Sequence, residues 1–456
     1  MKIIIFDDDP TGSQTVHDCP LLLNWDKKTI LQGLNSSSPL LFILTDTRRL
    51  SALGVENRLK KITSSIKEVS MLNNINVDEY LFISRGDSTL RGHGYLEPKI
   101  INEEFGPFDA TFHIPAFIEG ARITVDGTHL LDSIPVHLTD FAKDKIFGYS
   151  TSFLPEWLEE KSLGEISAEN LELINYKLLN YASKKIDGMR ELCNFILHLK
   201  NNTHVIVDAS SYLHLNVFAN AIREVKKNKK LLFRTSASFI SALSALPENK
   251  DIKYKLNNII NKNGKVRPSN GLILIGSYVK LSSHQLDELM TEKNIYGVEF
   301  NVSDTLELYN NLNLELLFLE IQKRYIMQLT EIINDSKTPV LFSTRKELIF
   351  ENDNDKREKS LIIALCMSHL ASKLIPHIGY VISKGGTTTQ TFLKNGLGQR
   401  LVNLQGQILP GLSVITPEQE NISNMPIVTF PGNLGDKYTL LKAWRLIELI
   451  IKNNNK

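Results

Sequence analysis

The amino-acid sequence predicts an α/β protein built from two α/β domains with mostly parallel sheets. Short apolar runs of strand length alternate with segments of helical apolar spacing, and such alternation is typical of parallel strands joined by right-handed crossovers. Polar side chains follow directly after several of the apolar runs. A Lys- and Asn-rich stretch at 247–270 separates two such patterns, and 456 residues are long for a single core.

Composition excludes several classes of protein. A net charge of +1 gives no electrostatic reason to expect nucleic acid or an anionic membrane as a partner. The cysteines, Cys19, Cys193 and Cys366, are far apart, which predicts neither a disulfide framework nor a zinc cluster. The first apolar run is too short for a signal peptide, and we expect no stretch as long as a membrane span. These observations predict a soluble, cytoplasmic protein.

The first strand is predicted at residues 3–6, a continuous apolar run that indicates burial on both faces. Asp7, Asp8 and Asp9 follow at once, before a turn at 10–12. In open α/β sheets, ligands bind at the carboxyl ends of the strands. Three adjacent carboxylates repel one another, so a cation, a substrate hydroxyl or nearby arginines must compensate them. The alternative is that one aspartate caps the next helix and the others are solvated.

The rest of the first half continues the alternation. The next two strands run into a Thr-Asp-Thr-Arg-Arg segment at 45–49 and a segment rich in glycine and arginine at 84–94. Three successive strands thereby deliver acids, hydroxyls and arginines to one edge of the sheet. Strands are predicted at 40–44, 80–83, 110–114, 204–208 and 231–234, helices at 29–34 and 55–69, a hairpin at 124–136 and mixed structure at 157–181.

Arg85, Arg91 and His93 are candidates to bind a small carboxylate or phosphate. The guanidinium fork pairs bidentately with carboxylate oxygens. The alternative is an internal salt bridge to Asp87 or to the first acidic turn, and both can hold at once. His93 alone is a weak catalytic candidate, and His113, on a strand, is predicted to be a packed core residue.

The second half carries a candidate phosphate cradle. Gly385, Gly386, Thr387 and Thr388 stand between a strand and a helix predicted from Thr389; glycines permit close approach, and N–H groups at a helix start attract anions. Lys384 is expected to add a cation. No Walker loop or dinucleotide fingerprint occurs. The other predicted elements are strands at 271–275, 296–300, 339–342 and 380–382 and helices at 283–293, within 303–334, at 359–374 and at 440–451.

Two further glycine loops strengthen the phosphate hypothesis. Gly276-Ser277 follows an apolar run, and a loop at 431–436, which contains Gly432, precedes the last helix. No Ser/His/Asp set can be picked from the order of the sequence, so a hydrolase of that type has little support.

Five motifs, in order, resemble those of the four-carbon acid sugar kinase family. Asp8-Asp9-Pro10-Thr11-Gly12 resembles the Asp-Asp-x-Thr-Gly opening of that family, and residues 87–92 resemble its second motif. The loops at 276–277, 385–388 and 431–436 resemble its C-terminal motifs. The resemblance runs from about residue 3 to about residue 446 and therefore covers nearly the whole chain.

This resemblance implies a sugar-acid-binding domain at 1–250 and a nucleotide-binding domain at 265–456, facing each other across a cleft. It implies ATP-dependent phosphorylation of the terminal hydroxyl of threonate, erythronate or 3-oxo-tetronate, with Mg2+ bridging the phosphates. The partners are then the sugar acid and ATP, without nucleic acid or membrane, and a homodimer is left open. The implied sugar-acid residues are Asp8, Asp9, Arg85, Ser88, Arg91 and Gly92, and the implied ATP residues are Ser277, Gly385, Gly386, Thr387, Thr388 and Gly432.

Asp8 or Asp9 is the expected catalytic base, with a slight preference for Asp9 because Pro10 fixes its exit from the strand. Three adjacent acids are expected to raise the pKa of one of them, which suits a base working near neutrality. Two other functions are left open: a metal-assisted hydrolase or aldolase acting on a small sugar acid, and a non-catalytic, nucleotide-dependent sugar-acid sensor.

Overall fold

The computed structural model describes residues 2–9, 15–246, 252–261, 267–345 and 352–454. Pro10, Thr11, Gly12, Ser13 and Gln14, which include the turn predicted at 10–12, lie outside these ranges. The chain divides into two compact units, Met1–Glu248 and Asn249–Lys456.

The first unit contains a sheet whose strands follow the order β2-β3-β1-β4-β11-β5-β10-β9, and each neighbouring pair is parallel. The strands of this unit are β1 Ile3–Asp7, β2 Cys19–Leu22, β3 Leu40–Leu44, β4 Leu81–Arg85, β5 Ala110–Ile114, β6 Arg122–Val125, β7 Thr128–Leu131, β8 Ile134–Pro135, β9 Glu172–Ile174, β10 Thr203–Val207 and β11 Leu231–Thr235. Its helices are α1 Lys27–Leu34, α2 Ala52–Leu72, α3 Leu96–Phe105, α4 Leu154–Lys161, α5 Tyr176–Lys184, α6 Ile186–His198, α7 Tyr212–Val225 and α8 Ala237–Ser244.

The register brings the ends of the first three predicted strands to one level. β1 lies between β3 and β4, and Asp7 is paired with Leu44 on one side and Arg85 on the other. The α/β class and the parallel sheet are therefore confirmed. Aromatic rings fill the space beneath β1 and β4: Phe82 stacks on Phe105 with ring centroids 4.3 Å apart.

Two segments of this unit differ from the prediction. The expected hairpin is a small antiparallel sheet, β6-β7-β8, with one short strand more than a hairpin has. The mixed region at 157–181 contains the end of α4, the edge strand β9 and the start of α5. In addition, β2 and the helices α3, α6, α7 and α8 lie in regions for which no element was predicted.

The second unit contains strands in the order β13-β14-β12-β15-β18-β17-β16. The first five are mutually parallel, while β17 runs antiparallel to both β18 and β16. The strands are β12 Gly271–Ile275, β13 Ile295–Phe300, β14 Thr338–Ser343, β15 Tyr380–Lys384, β16 Leu401–Leu409, β17 Leu412–Pro417 and β18 Ile427–Phe430. The helices are α9 Ile252–Ile260, α10 Lys280–Leu289, α11 Val302–Asn311, α12 Leu314–Asn334, α13 Asp353–Leu374, α14 Gly386–Thr391 and α15 Thr439–Asn454.

The range 303–334 contains the predicted long helix, α12, and a shorter helix, α11, precedes it. The break between the two is explained by Asn313, whose side chain caps α12 by accepting a hydrogen bond from the N–H of Leu316. The strands β16, β17 and β18 were not predicted.

One helical segment, Asp355–His377, is long and apolar enough to cross a membrane by length and composition, with a mean hydropathy of 1.2. The expectation that no stretch approaches that length is corrected to this extent. Half of this window is buried inside the protein, as in the core helix of a soluble domain. The cysteines Cys19, Cys193 and Cys366 are buried and free, as expected.

Candidate active site

Asp8 is held by two arginines at the end of β1. Arg48 forms a fork on the carboxylate, with Nη2 2.7 Å from Oδ1 and Nε 3.0 Å from Oδ2. Arg85 Nη1 lies 3.3 Å from Oδ1. The side chain of Asp8 has no exposed surface. Because both oxygens accept from guanidinium groups, the compensation that three adjacent acids require comes from within the protein.

Asp9 is the more accessible of the two predicted catalytic acids. Its Oδ2 accepts from Arg48 Nη1 at 3.1 Å, and 24% of its side chain is exposed. Arg48 therefore links Asp8 and Asp9, while only Asp9 presents surface to a ligand.

The acid with the raised pKa is Asp7. Burial raises its pKa to about 7, Asp8 and Asp9 add to the rise, and Arg85 opposes it. Asp7 is 1% exposed. The expectation that one of the three adjacent acids has a raised pKa is confirmed for Asp7, which is not one of the two candidate bases. The larger cause is burial, and charge repulsion is secondary.

Arg91 forms the internal salt bridge that the sequence left open. Its Nε lies 2.8 Å from Asp87 Oδ2, and Thr89 Oγ1 donates to the same oxygen at 2.5 Å. Although burial acts in the opposite direction, Arg48 and Arg91 hold the pKa of Asp87 below its usual range. Because 24% of the Arg91 side chain is exposed, this salt bridge does not enclose the guanidinium completely.

The second motif packs directly against the first. Gly92 has a φ of +96°, and a Cβ at this position would lie 3.3 Å from Asp8 Oδ2. The backbone conformation favours glycine here, and a Cβ would in addition crowd the carboxylate. Ser88 is buried, and its carbonyl accepts from His129 Nε2 at 2.8 Å. The structure thus brings Asp8, Arg85 and Gly92 together.

The histidines have structural partners. His93 Nε2 is 2.9 Å from the carbonyl of Leu50. His113 is buried, as predicted, and its Nε2 lies 2.9 Å from His204 Nδ1.

Arg48 is the site residue that the sequence did not single out. The segment at 45–49 was recognised as polar and placed at a strand end, but the order β3-β1-β4 is needed to bring Arg48 to Asp8 and Asp9. The position of an arginine just after a neighbouring strand was the available signal.

In the second unit, three glycine loops leave three adjacent strands at one level. In the register, Lys384 at the end of β15 is paired with Ile275 on β12 and Phe430 on β18. The loops are tied to the neighbouring strand ends: Gly276 N–H donates to the carbonyl of Lys384 at 3.2 Å, and Gly385 N–H donates to that of Phe430 at 2.9 Å.

These loops approach each other so closely that only glycine fits at two positions. A Cβ at Gly276 would lie 2.0 Å from Thr388 Oγ1, and one at Gly432 would lie 2.7 Å from Ser277 Oγ. Gly385 has a φ of +112°, a conformation that side chains disfavour. The glycines are therefore explained by the convergence of the loops.

A cavity of about 300 Å³ lies beside the loops. Its lining includes all six residues predicted to hold ATP, and α13 and Val302 add an apolar part. The lining consists of Gly276, Ser277, Tyr278, Val302, Ser343, Thr344, Lys356, Ser360, Ile363, Ala364, Met367, Gly385, Gly386, Thr387, Thr388 and Gly432.

The polar part of the cavity offers backbone donors. The N–H groups of Ser277, Gly386, Thr387, Thr388 and Gly432 donate to no other residue in the described part of the chain. Helix α14 begins at Gly386, earlier than the predicted start at Thr389, so its first-turn amides have no partner within the helix. A set of free amides around one cavity is suited to an anion with several oxygens.

Lys384, which was expected to add a cation to the cradle, is not among the residues that line the cavity. It is fully buried, and Nζ donates to the carbonyls of Pro431 at 3.0 Å and Gly432 at 3.2 Å. Burial, with a smaller contribution from Arg345, lowers its pKa to about 7.

Among the residues that the structure describes, no group of three or more His, Cys, Asp or Glu side chains is placed to hold a metal ion.

Comparison with known families identifies the family to which the chain belongs. A family model described as a sugar-binding N-terminal domain matches residues 3–243, and one described as a nucleotide-binding C-terminal domain matches residues 272–440. The chain belongs to the four-carbon acid sugar kinase family. The acid cluster of this chain lies in the region matched by the sugar-binding domain, and its glycine loops lie in the region matched by the nucleotide-binding domain.

A curated relative and two solved structures extend this comparison. D-erythronate kinase of Heliobacterium modesticaldum is 30% identical over 149 residues, which span 31% of this chain and 32% of that protein. A crystal structure from Haemophilus influenzae has a TM-score of 0.60 and 14% identity, covering 98% of this chain and 100% of its own. One from Salmonella typhimurium has a TM-score of 0.65 and 14% identity, covering 97% and 99%. The latter two show a shared fold.

Proposed function

We propose that the protein is an ATP-dependent kinase that phosphorylates the terminal hydroxyl of a four-carbon sugar acid of the threonate, erythronate or 3-oxo-tetronate type, in the cytoplasm. The observation that carries the proposal is the convergence of three glycine loops, with free amides, on one cavity of about 300 Å³. The 30% identity to a D-erythronate kinase, over about a third of its length, supports the same activity.

The nucleotide is assigned to the cavity of the second unit. Its volume is at the lower end of the range for small-molecule sites. The amides of Ser277, Gly386 and Gly432 would bind phosphate oxygens, because backbone N–H groups converging on one point form an anion site. The apolar part lined by Ile363 and Met367 would take the base.

The sugar acid is assigned to the acid cluster of the first unit. Arg91 is partly exposed and would pair with the substrate carboxylate, while Asp87 holds it in place. Asp9 would accept the proton of the attacking hydroxyl, since it is the accessible one of the two candidate bases. Asp8 has a different part: with both oxygens bound by Arg48, it fixes the arginine that orients Asp9.

Mg2+ fits this arrangement as a companion of ATP. In kinases, magnesium is held mainly by substrate phosphates and water, with one or two carboxylates, and a dedicated protein cage is unusual. The free amides of Gly386 and Thr387 would then donate hydrogen bonds to those phosphate oxygens that the ion does not reach.

The test is ATP turnover by the full chain, measured as ADP formed with and without threonate, erythronate and 3-oxo-tetronate. The proposal predicts ADP formation that depends on one or more of these acids. Consumption of an acid without ADP would support a hydrolase or aldolase. Binding of both ligands without turnover would support a sensor.

A further inference from the structure

Among the residues that the structure describes, Lys384 is a buried lysine without an acidic partner, placed behind the nucleotide cavity. Its ammonium bonds to the carbonyls of Pro431 and Gly432 and lies 3.9 Å from the centre of the Phe430 ring. None of these groups carries a negative charge. An uncompensated cation in such a position is costly, and the proposed mechanism has so far given it no task.

The bonds of Lys384 help to fix the direction of two peptide groups, and Ser282 Oγ also donates to the carbonyl of Gly432, at 2.9 Å. In a trans peptide the C=O and N–H point in opposite directions. Because the carbonyls of Pro431 and Gly432 point to the ammonium, the N–H groups of Gly432 and Asn433 point away from it. Neither amide donates to another residue among those described, and Gly432 lines the cavity.

We infer that Lys384 is a positioning residue for the nucleotide phosphates, which acts from behind the loop by turning the amides of Gly432 and Asn433 outward and by adding positive charge that only a polyanion compensates. This inference rests on the proposed function. Lys384 would make binding tighter for ligands with more phosphates, without contacting the ligand itself.

The surroundings of Lys384 favour this assignment. The residues that flank it in the sheet, Ile275 and Phe430, are uncharged. The charged group that acts on it is Arg345, whose Nη1 donates to the carbonyl of Ser277 at 2.5 Å. Two cations therefore support two of the converging loops, and the bound phosphates would supply the missing negative charge.

The experiment measures dissociation constants of adenosine, ADP·Mg and ATP·Mg by calorimetry for the full-length wild type, Lys384→Met and Lys323→Met. Lys323 provides the matched control because it lies in the same unit with 76% of its side chain exposed. For Lys384→Met we expect the dissociation constant of ATP to rise on the order of tenfold, that of ADP by less and that of adenosine by under about twofold. The reason is that the lost interaction is electrostatic and acts on the phosphates. Lys323→Met should bind as the wild type does.

If Lys384→Met weakens the binding of adenosine and of ATP equally, or weakens neither, the inference is overturned, because a merely structural lysine has no preference for phosphates. Should Lys384→Met not fold, wild-type titrations at pH 7.5 in two buffers of different ionisation enthalpy decide. The inference expects proton uptake with ATP·Mg but not with adenosine, and equal proton counts would contradict it. A wild type that binds no nucleotide would refute the proposed function itself.

Discussion

At the scale of single residues, the acid site depends on Arg48, which bonds to Asp8 and Asp9 together. Replacing it with methionine leaves the buried Asp8 with Arg85 alone. Breaking a buried ion pair in this way costs about 3–5 kcal/mol, so we expect a lower free energy of unfolding and a large loss of kcat. Urea unfolding and steady-state kinetics measure both. Arg49→Ala is the control, because its exposed side chain pairs with Asp46 instead; equal losses in the two variants would contradict the role of Arg48.

Asp9 and Asp8 should separate in their mutational effects. Asp9→Asn removes the accessible base and is expected to lower kcat by ~100- to 10,000-fold while leaving the KM for ATP and the melting temperature nearly unchanged. Asp8→Asn removes a fully buried partner of Arg48 and should lower stability as well. An active Asp9→Asn enzyme would assign the proton transfer elsewhere.

The raised pKa of Asp7 predicts how stability depends on pH. The folded protein retains the proton up to about pH 7, whereas the unfolded chain releases it near 3.8. Between these values the folded state holds more protons, so the contribution of Asp7 to stability falls as pH rises and is constant above about pH 7. Free energies of unfolding of the wild type relative to Asp7→Asn should therefore decline from pH 4 to pH 7. A difference that is flat or rises with pH would contradict the assignment.

At the scale of elements, the nucleotide cavity depends on the close approach of the loops that follow β12, β15 and β18. Gly276→Ala would place a Cβ against Thr388, and such overpacking costs about 1–3 kcal/mol, which corresponds to a roughly 5- to 150-fold weaker binding of ATP if the whole cost falls on the bound state. Gly297→Ala is the control, because there the nearest atom is the flexible end of Met290 in the same unit. Unchanged ATP binding by Gly276→Ala would show that the loops are ordinary turns.

The sequence predicted where the strands of this fold lie along the chain better than it predicted which strands are adjacent in the sheet. Apolar runs located β1, β3, β4, β12 and β15, because burial on both faces leaves a continuous pattern. The strand order was not predictable, since the pattern within a strand says nothing about which strand lies beside it. For the same reason the approach of Arg48 to Asp8 was missed.

The side of the sheet to which the Lys384 side chain points was likewise not predictable from the sequence. Alternate side chains of a strand point to opposite faces, and a lysine at a strand end before two glycines reads as a ligand-facing cation. The structure places it on the buried side, where Pro431 and Gly432 accept from it. The lysine's partners lie on β18 and its loop, a strand that the sequence pattern did not predict.

At the scale of the whole molecule, the proposed reaction divides its ligands between the two units. The acid cluster and Arg48 belong to Met1–Glu248, and the glycine loops belong to Asn249–Lys456. Each unit has its own parallel strands with polar side chains or loops at their carboxyl ends, in agreement with the general location of ligands in such sheets.

In the proposed reaction, the γ-phosphate of ATP is transferred to the terminal hydroxyl of a four-carbon sugar acid. Phosphorus NMR of the full chain incubated with ATP, Mg2+ and erythronate or threonate tests it directly, with Asp9→Asn as the control. We expect a new phosphomonoester signal, coupled to the protons of the terminal carbon and equal in amount to the ADP formed, which Asp9→Asn produces far more slowly. Inorganic phosphate in place of the phosphomonoester, or ADP formed equally without the acid, would contradict it.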